Sequence, residues 1–134
     1  MSFKLKVGDR TPSKLKGKSE ELDQQLLVNW FKRTYPDVFP WLHHSPNGGR
    51  RDALVGQKMK MMGTKPGVPD LMLFVPVGEW VGLAVELKHP NGRGRLSPEQ
   101  AKWIEHLSSQ GWQVVVCNGM DEGKEAFRGY LDGD

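Results

Sequence analysis

Apolar residues along the chain fall into short blocks separated by Gly and Pro, and their period switches between helical and extended spacing. Leu26, Leu27, Trp30 and Phe31 recur at helical spacing in a stretch that opens on Ser19, Glu20 and Glu21 and stops before Pro36. Serine caps helix N-termini, acids favour the first turn, and proline biases the residue before it away from helix. The pattern therefore predicts a helix from Ser19 to about Tyr35. Val38 to His44 is a short mixed run that reads as a first strand, and residues 52–62 read as a short helix closed by Gly63. Two apolar runs follow. One starts at Asp70; the other spans Val81 to Val85 and closes on Glu86-Leu87-Lys88. Pro76-Val77-Gly78-Glu79 between them carries a turn signal, so the two runs predict an antiparallel hairpin. Ser97-Pro98-Glu99-Gln100 is a helix start with Ser at the N-cap, Pro at N1 and Gln at N3. Ala101, Ile104 and Leu107 give that helix its apolar stripe, and Gly111 ends it. Trp112 to Cys117 reads as a buried strand. Residues 121–131 read as a last helix, with Ala126, Phe127, Tyr130 and Leu131 inward.

The resulting order is helix, strand, helix, strand, strand, helix, strand, helix. It predicts a three-layer α/β domain with a mixed sheet, since a strand reached through a helical crossover pairs in parallel. The hairpin is the part with chemistry. An acid in an apolar strand is costly unless paired or bound to a metal. Asp70 starts one strand while Glu86 and Lys88 end the next, so the three groups should meet at one end of the hairpin. Residues two apart share a strand face, so Glu86 and Lys88 point the same way. Two carboxylates beside an ammonium can hold a divalent cation and activate water for attack on a phosphate. The structural alternatives are a local backbone partner for Asp70 and a plain ion pair for Glu86 and Lys88.

Composition narrows the classes. A chain of 134 residues with mean hydropathy −0.56 suits one domain, and no apolar run approaches membrane-spanning length. The opening MSFKLKVGDR lacks the apolar core of a secretory signal, and the single Cys117 excludes an internal disulfide or a multi-cysteine zinc cluster. A cytoplasmic setting is expected, with no membrane partner and, in the absence of a P-loop or dinucleotide fingerprint, no nucleotide cofactor. Residues 1–18 carry six basic residues against one acid, leaving −2 for the rest of a chain of net charge +3. That basic segment reads as a flexible arm ahead of a single domain over residues 19–134, and a cationic arm suits a polyanion.

Val68-Pro69-Asp70 and Glu86-Leu87-Lys88 resemble the paired motifs of the PD-(D/E)xK nuclease superfamily. GVPDL, GLAVELK, LSPEQAKW and the upstream NGGRR together resemble its VRR-NUC branch, in particular the small stand-alone viral (phage) members, from about Ser19 to Leu131. The resemblance implies a restriction-endonuclease-like core and hydrolysis of DNA phosphodiesters with Mg2+ or Mn2+. Asp70 and Glu86 would be metal ligands with the Leu87 carbonyl, and Lys88 would steer water or steady developing charge. It implies an active-site role for Gln100, which the capping box alone also explains. It further implies an acid on the first helix. Glu21 with Gln25 matches its E-x-x-x-Q pattern, Glu20 competes, and both are equally explained as first-turn acids. Asn47, Arg50 and Arg51 would lie against the phosphate backbone, followed by Lys65, and Arg93 and Arg95 would hang beside the metal. His43 and His44 face opposite ways on a strand, so surface or packing roles are expected for both. The viral members resemble homodimeric Holliday-junction resolvases, so a four-way junction and a homodimer are implied, in the host-cell cytoplasm for a viral protein. Two other classes remain open. One is a DNA-binding module without catalysis, and the other an enzyme acting on a small phosphorylated substrate.

Overall fold

The computed structural model describes residues 13–46, 53–92 and 94–133. Helix α1 spans Ser13–Thr34. It starts six residues before the expected Ser19 N-cap, directly after Pro12, a residue compatible with a helix start but not with a helix interior. Gly17 costs that added stretch about 1 kcal/mol of helix propensity without breaking it. Residues 13–18 of the expected arm are therefore helical, and 1–12 lie outside the described residues. The expected first strand is shorter than the Val38–His44 run. Phe39–Trp41 forms a 3-10 turn around Pro40, and β1 is only Leu42–His44. Proline has no N–H for a ladder, which explains the shift. Then come α2 (Ala53–Met61), β2 (Leu71–Leu73), β3 (Gly82–Lys88), α3 (Pro98–Ser109), β4 (Trp112–Asn118) and α4 (Met120–Asp132).

The strands form one sheet in the order β1-β2-β3-β4, antiparallel at the first two pairings and parallel between β3 and β4. Between β2 and β3, Val77 and Trp80 exchange backbone hydrogen bonds of 3.1 and 2.9 Å around Gly78 and Glu79. The parallel pair needs a crossover, and α3 supplies it.

Alternation along the strands sorts their side chains into two cores. Leu71, Leu73, Leu83, Val85 and Leu87 pack with Leu27 and Phe31 of α1 and with Phe127 and Tyr130 of α4. Met72 and Ala84 face the other way, onto Leu107 and Trp103 of α3. The domain thus has three layers: α1 and α4, the sheet, then α3. The Phe31 and Phe127 rings meet edge to face at 4.8 Å, joining the two helices of the first layer. Counting by twos from Met72 and Ala84 puts Asp70, Glu86 and Lys88 on the α3 side.

Candidate active site

The register between β2 and β3 runs Leu71↔Val85, and one further step sets Asp70 opposite Glu86. Asp70 is fixed twice. Its backbone carbonyl accepts the Ser45 N–H at 2.9 Å, continuing the β1–β2 ladder, and its Oδ2 accepts the Leu87 N–H at 2.8 Å. A residue's N–H and C=O lie on the same edge of a strand, so the Leu87 carbonyl also faces the Asp70 side.

Glu86 is only 2% exposed. Its Oε2 accepts from Gln100 Nε2 at 3.0 Å, with Lys88 Nζ 3.8 Å away. Its Oε1 is the one buried side-chain nitrogen or oxygen among the described residues that has no hydrogen-bond partner. Burial, and then the neighbouring charge of Asp70, push the Glu86 carboxyl up to about 9, against the opposing pull of Lys88. Asp70 is also raised, chiefly by burial, with the Leu87 N–H working against the shift. The pair therefore holds a proton at neutral pH that a cation can replace.

Gln100 joins the two catalytic candidates on β3 to the start of α3. Its backbone N–H donates to Ser97 Oγ at 3.1 Å, and its Oε1 accepts the Ser97 N–H at 2.8 Å. The same Oε1 accepts from Lys88 Nζ at 2.9 Å. The capping box and the contacts to Glu86 and Lys88 thus share one side chain. The Lys88 stem lies against Gly94, where an added Cβ would sit 3.1 Å from the lysine Cβ and Cδ. Gly67 closes the other side. It has φ +88°, and a Cβ there would come within 2.5 Å of the Glu99 backbone. Only glycine lets the approach to Asp70 pass that close to the first turn of α3.

Not every expected residue converges. Glu21 is exposed and Glu20 half-buried, and neither joins Asp70 and Glu86 in a cluster of three acids. The same E-x-x-x-Q spacing falls on Glu20 and Gln24 as well as on Glu21 and Gln25. Lys65 and Arg95 are exposed on the approaches to Asp70 and to α3. Asn47, Arg50, Arg51 and Arg93 lie outside the described residues. His44 is exposed, as expected, and its Nδ1 is 3.1 Å from the Asp70 carbonyl oxygen and 2.7 Å from the Gln24 amide. No sequence pattern marks this contact, apart from the E-x-x-x-Q spacing read one residue earlier.

The donor set suits a hard divalent cation: two carboxylates and a backbone carbonyl edge, all oxygen, with one buried oxygen unpartnered. Among the described residues no three His, Cys, Asp or Glu side chains cluster as metal ligands. The fit is to Mg2+ or Mn2+ completed by water and phosphate, as such ions ordinarily are.

A mixed four-strand sheet covered on both faces, with acids gathered at the end of its central hairpin, is an α/β fold of the nuclease kind. The family model described as the VRR-NUC domain matches residues 18–121. A solved structure described as a VRR_NUC domain protein is 32% identical, with a TM-score of 0.73, covering 85% of this chain and 88% of that one. No curated protein matches. The chain belongs to the VRR-NUC family, a family of nuclease-type domains.

Proposed function

We propose that this protein is a Mg2+- or Mn2+-dependent DNA endonuclease that selects branched DNA, in the manner of a Holliday-junction resolvase. The observation that carries the metal dependence is the buried, unpartnered Glu86 Oε1 beside Asp70, with Lys88 held off Glu86 by Gln100. Asp70, Glu86 and the Leu87 carbonyl would hold the ion. When bound, it polarises a scissile phosphate and lowers the pKa of an attacking water. Gln100 Oε1 accepts one hydrogen bond from the Lys88 ammonium, so that the ammonium's remaining N–H donors can meet the charge that grows on the phosphate oxygens. Burial on the α3 side keeps those interactions in a low dielectric, where they are stronger than in water.

DNA as partner follows from the family and agrees with the cationic first 18 residues. Exposed Lys65 and Arg95 flank the site and suit phosphate contacts, together with Asn47, Arg50, Arg51 and Arg93. Selectivity for four-way junctions and a homodimer go together, since two symmetric cuts need two copies of one site. Exposed Trp41 and the exposed Met61 and Met62 at the end of α2 offer apolar surface for such a pairing.

The test is a panel of labelled four-way, flap, nicked and linear DNAs with Mg2+, Mn2+ or EDTA. Paired, metal-dependent cuts near the junction centre are expected. Tight binding without nicking in either metal would leave only a DNA-binding module. Equal cutting of all substrates would remove the branch selectivity while keeping the endonuclease.

A further inference from the structure

We infer that His44 and Gln24 act together as positioning residues, tying helix α1 to the backbone of Asp70 and so fixing Asp70 relative to Glu86. The inference rests on the metal-site reading of Asp70 and Glu86 and concerns two side chains outside that site.

Asp70 is the last residue before β2, where the β1–β2 ladder ends, and strand ends fray. Ser45 N–H continues the ladder by one bond to the Asp70 carbonyl, and His44 Nδ1 adds a second contact to the same oxygen at 3.1 Å. A carbonyl only accepts, so Nδ1 carries the hydrogen in that contact. The Gln24 amide, 2.7 Å from the same nitrogen, then turns its oxygen toward the ring by a half-turn, and the one Nδ1 hydrogen is shared between that oxygen and the Asp70 carbonyl as a three-centre bond. Gln24 and Glu20 are four residues apart on α1 and so share one helix face. The side chain of Asp70 is bound to Leu87 N–H, next to Glu86. The bond to His44 thus anchors the face of α1 that carries Glu20 to the residue facing Glu86 across the hairpin. Without it, Asp70 keeps its Ser45 bond but loses its link to the helix.

The chain-wide consequence is a site braced from three elements, with α3 supplying Gln100, the hairpin supplying Asp70, Glu86 and Lys88, and α1 supplying Gln24. The Gln100 bonds join α3 to the hairpin, and His44 with Gln24 joins α1 to it.

The experiment is Mn2+ binding to the DNA-free protein by calorimetry, with thermal melting in EDTA, for wild type and for His44→Ala, His44→Asn and Gln24→Ala. Asparagine places an N–H donor near the position of Nδ1. His44→Ala is expected to bind Mn2+ about 10- to 100-fold more weakly, with His44→Asn recovering to within about threefold of wild type. Gln24→Ala should weaken binding in the same direction, and adding it to His44→Ala should add little, because the two residues act as one unit. Cleavage by His44→Ala should recover most of its rate at saturating Mn2+, which general unfolding would not allow. Wild-type Mn2+ affinity in His44→Ala would overturn the inference and leave the metal site standing. Failure of His44→Asn to recover would overturn it too, by showing that ring packing matters and the donor does not. No Mn2+ binding by the wild type would overturn the metal reading and this inference with it. Should His44→Ala fail to fold, the Gln24→Ala result decides: unchanged Mn2+ affinity overturns the inference.

Discussion

The Lys88 ammonium rests on Gln100 Oε1 at 2.9 Å and stands 3.8 Å from Glu86 Oε2, so its closer partner is the neutral amide and not the acid. A lysine locked into a short ion pair would have little left to offer a substrate. One held by an amide stays aimed, with donors to spare. The amide is itself held by the capping box of α3, which ties the lysine to a helix N-terminus.

Gln100→Ala is therefore expected to act twice. Loss of the bond to Ser97 N–H should cost about 1 kcal/mol of stability, read by chemical denaturation. Lys88 should then close on Glu86, and cleavage at saturating Mn2+ should fall about 10- to 100-fold. A variant that loses the stability but none of the rate would leave Gln100 as a cap only.

Asp70→Ala, Glu86→Ala and Lys88→Ala should each abolish cleavage while leaving binding to branched DNA in EDTA within a few-fold of wild type, since the DNA contacts are carried mainly by other cations. Gel shift beside a nicking assay separates the two properties. Wild-type cutting by any one of them removes that residue from the mechanism.

Stability without metal should depend on pH through Glu86. Its carboxyl sits near 9 in the folded chain against an ordinary 4.5, so the folded state holds a proton that the unfolded state has released between those values. Stability is then full below about 4.5 and falls as pH rises toward 9. Melting in EDTA should shift downward across that window, and Glu86→Gln should flatten the slope. Mn2+ binding should release protons, and should tighten as pH rises, because the ion replaces the proton held by the pair. A melting temperature independent of pH would show that the buried pair is not protonated.

Gly67→Ala tests how the site's floor is built. Its φ of +88° and the 2.5 Å approach of an added Cβ to the Glu99 backbone leave no room for a methyl group. A loss of about 2–4 kcal/mol is expected, together with reduced cleavage as the first turn of α3 moves away with Gln100. Full activity in a destabilised variant would separate the packing from the site.

Lys65→Ala is expected to weaken binding similarly for every DNA shape and to lower the salt slope of binding by about 1. A change confined to four-way junctions would instead make Lys65 a reader of the branch.

Local chemistry determined much of this protein. The turn around Gly78 and the apolar runs beside it specified the hairpin, and the hairpin alone brought Asp70, Glu86 and Lys88 to one end. Ser97, Pro98 and Gln100 specified where α3 starts, because capping is a matter of neighbours in sequence. The crossover through α3 dictated that β3 and β4 run parallel. Tertiary structure decided what depends on rotation and on distance along the chain. Consecutive helix residues point about 100° apart, so only the seating of α1 on the sheet could half-bury Glu20 and leave Glu21 in solvent. The contact of His44 with Gln24 and Asp70 joins residues 20 and 26 positions apart, a proximity set by packing and not by any local preference. The unpartnered oxygen of Glu86 likewise exists only because three elements close over it, as burial is a property of the whole fold.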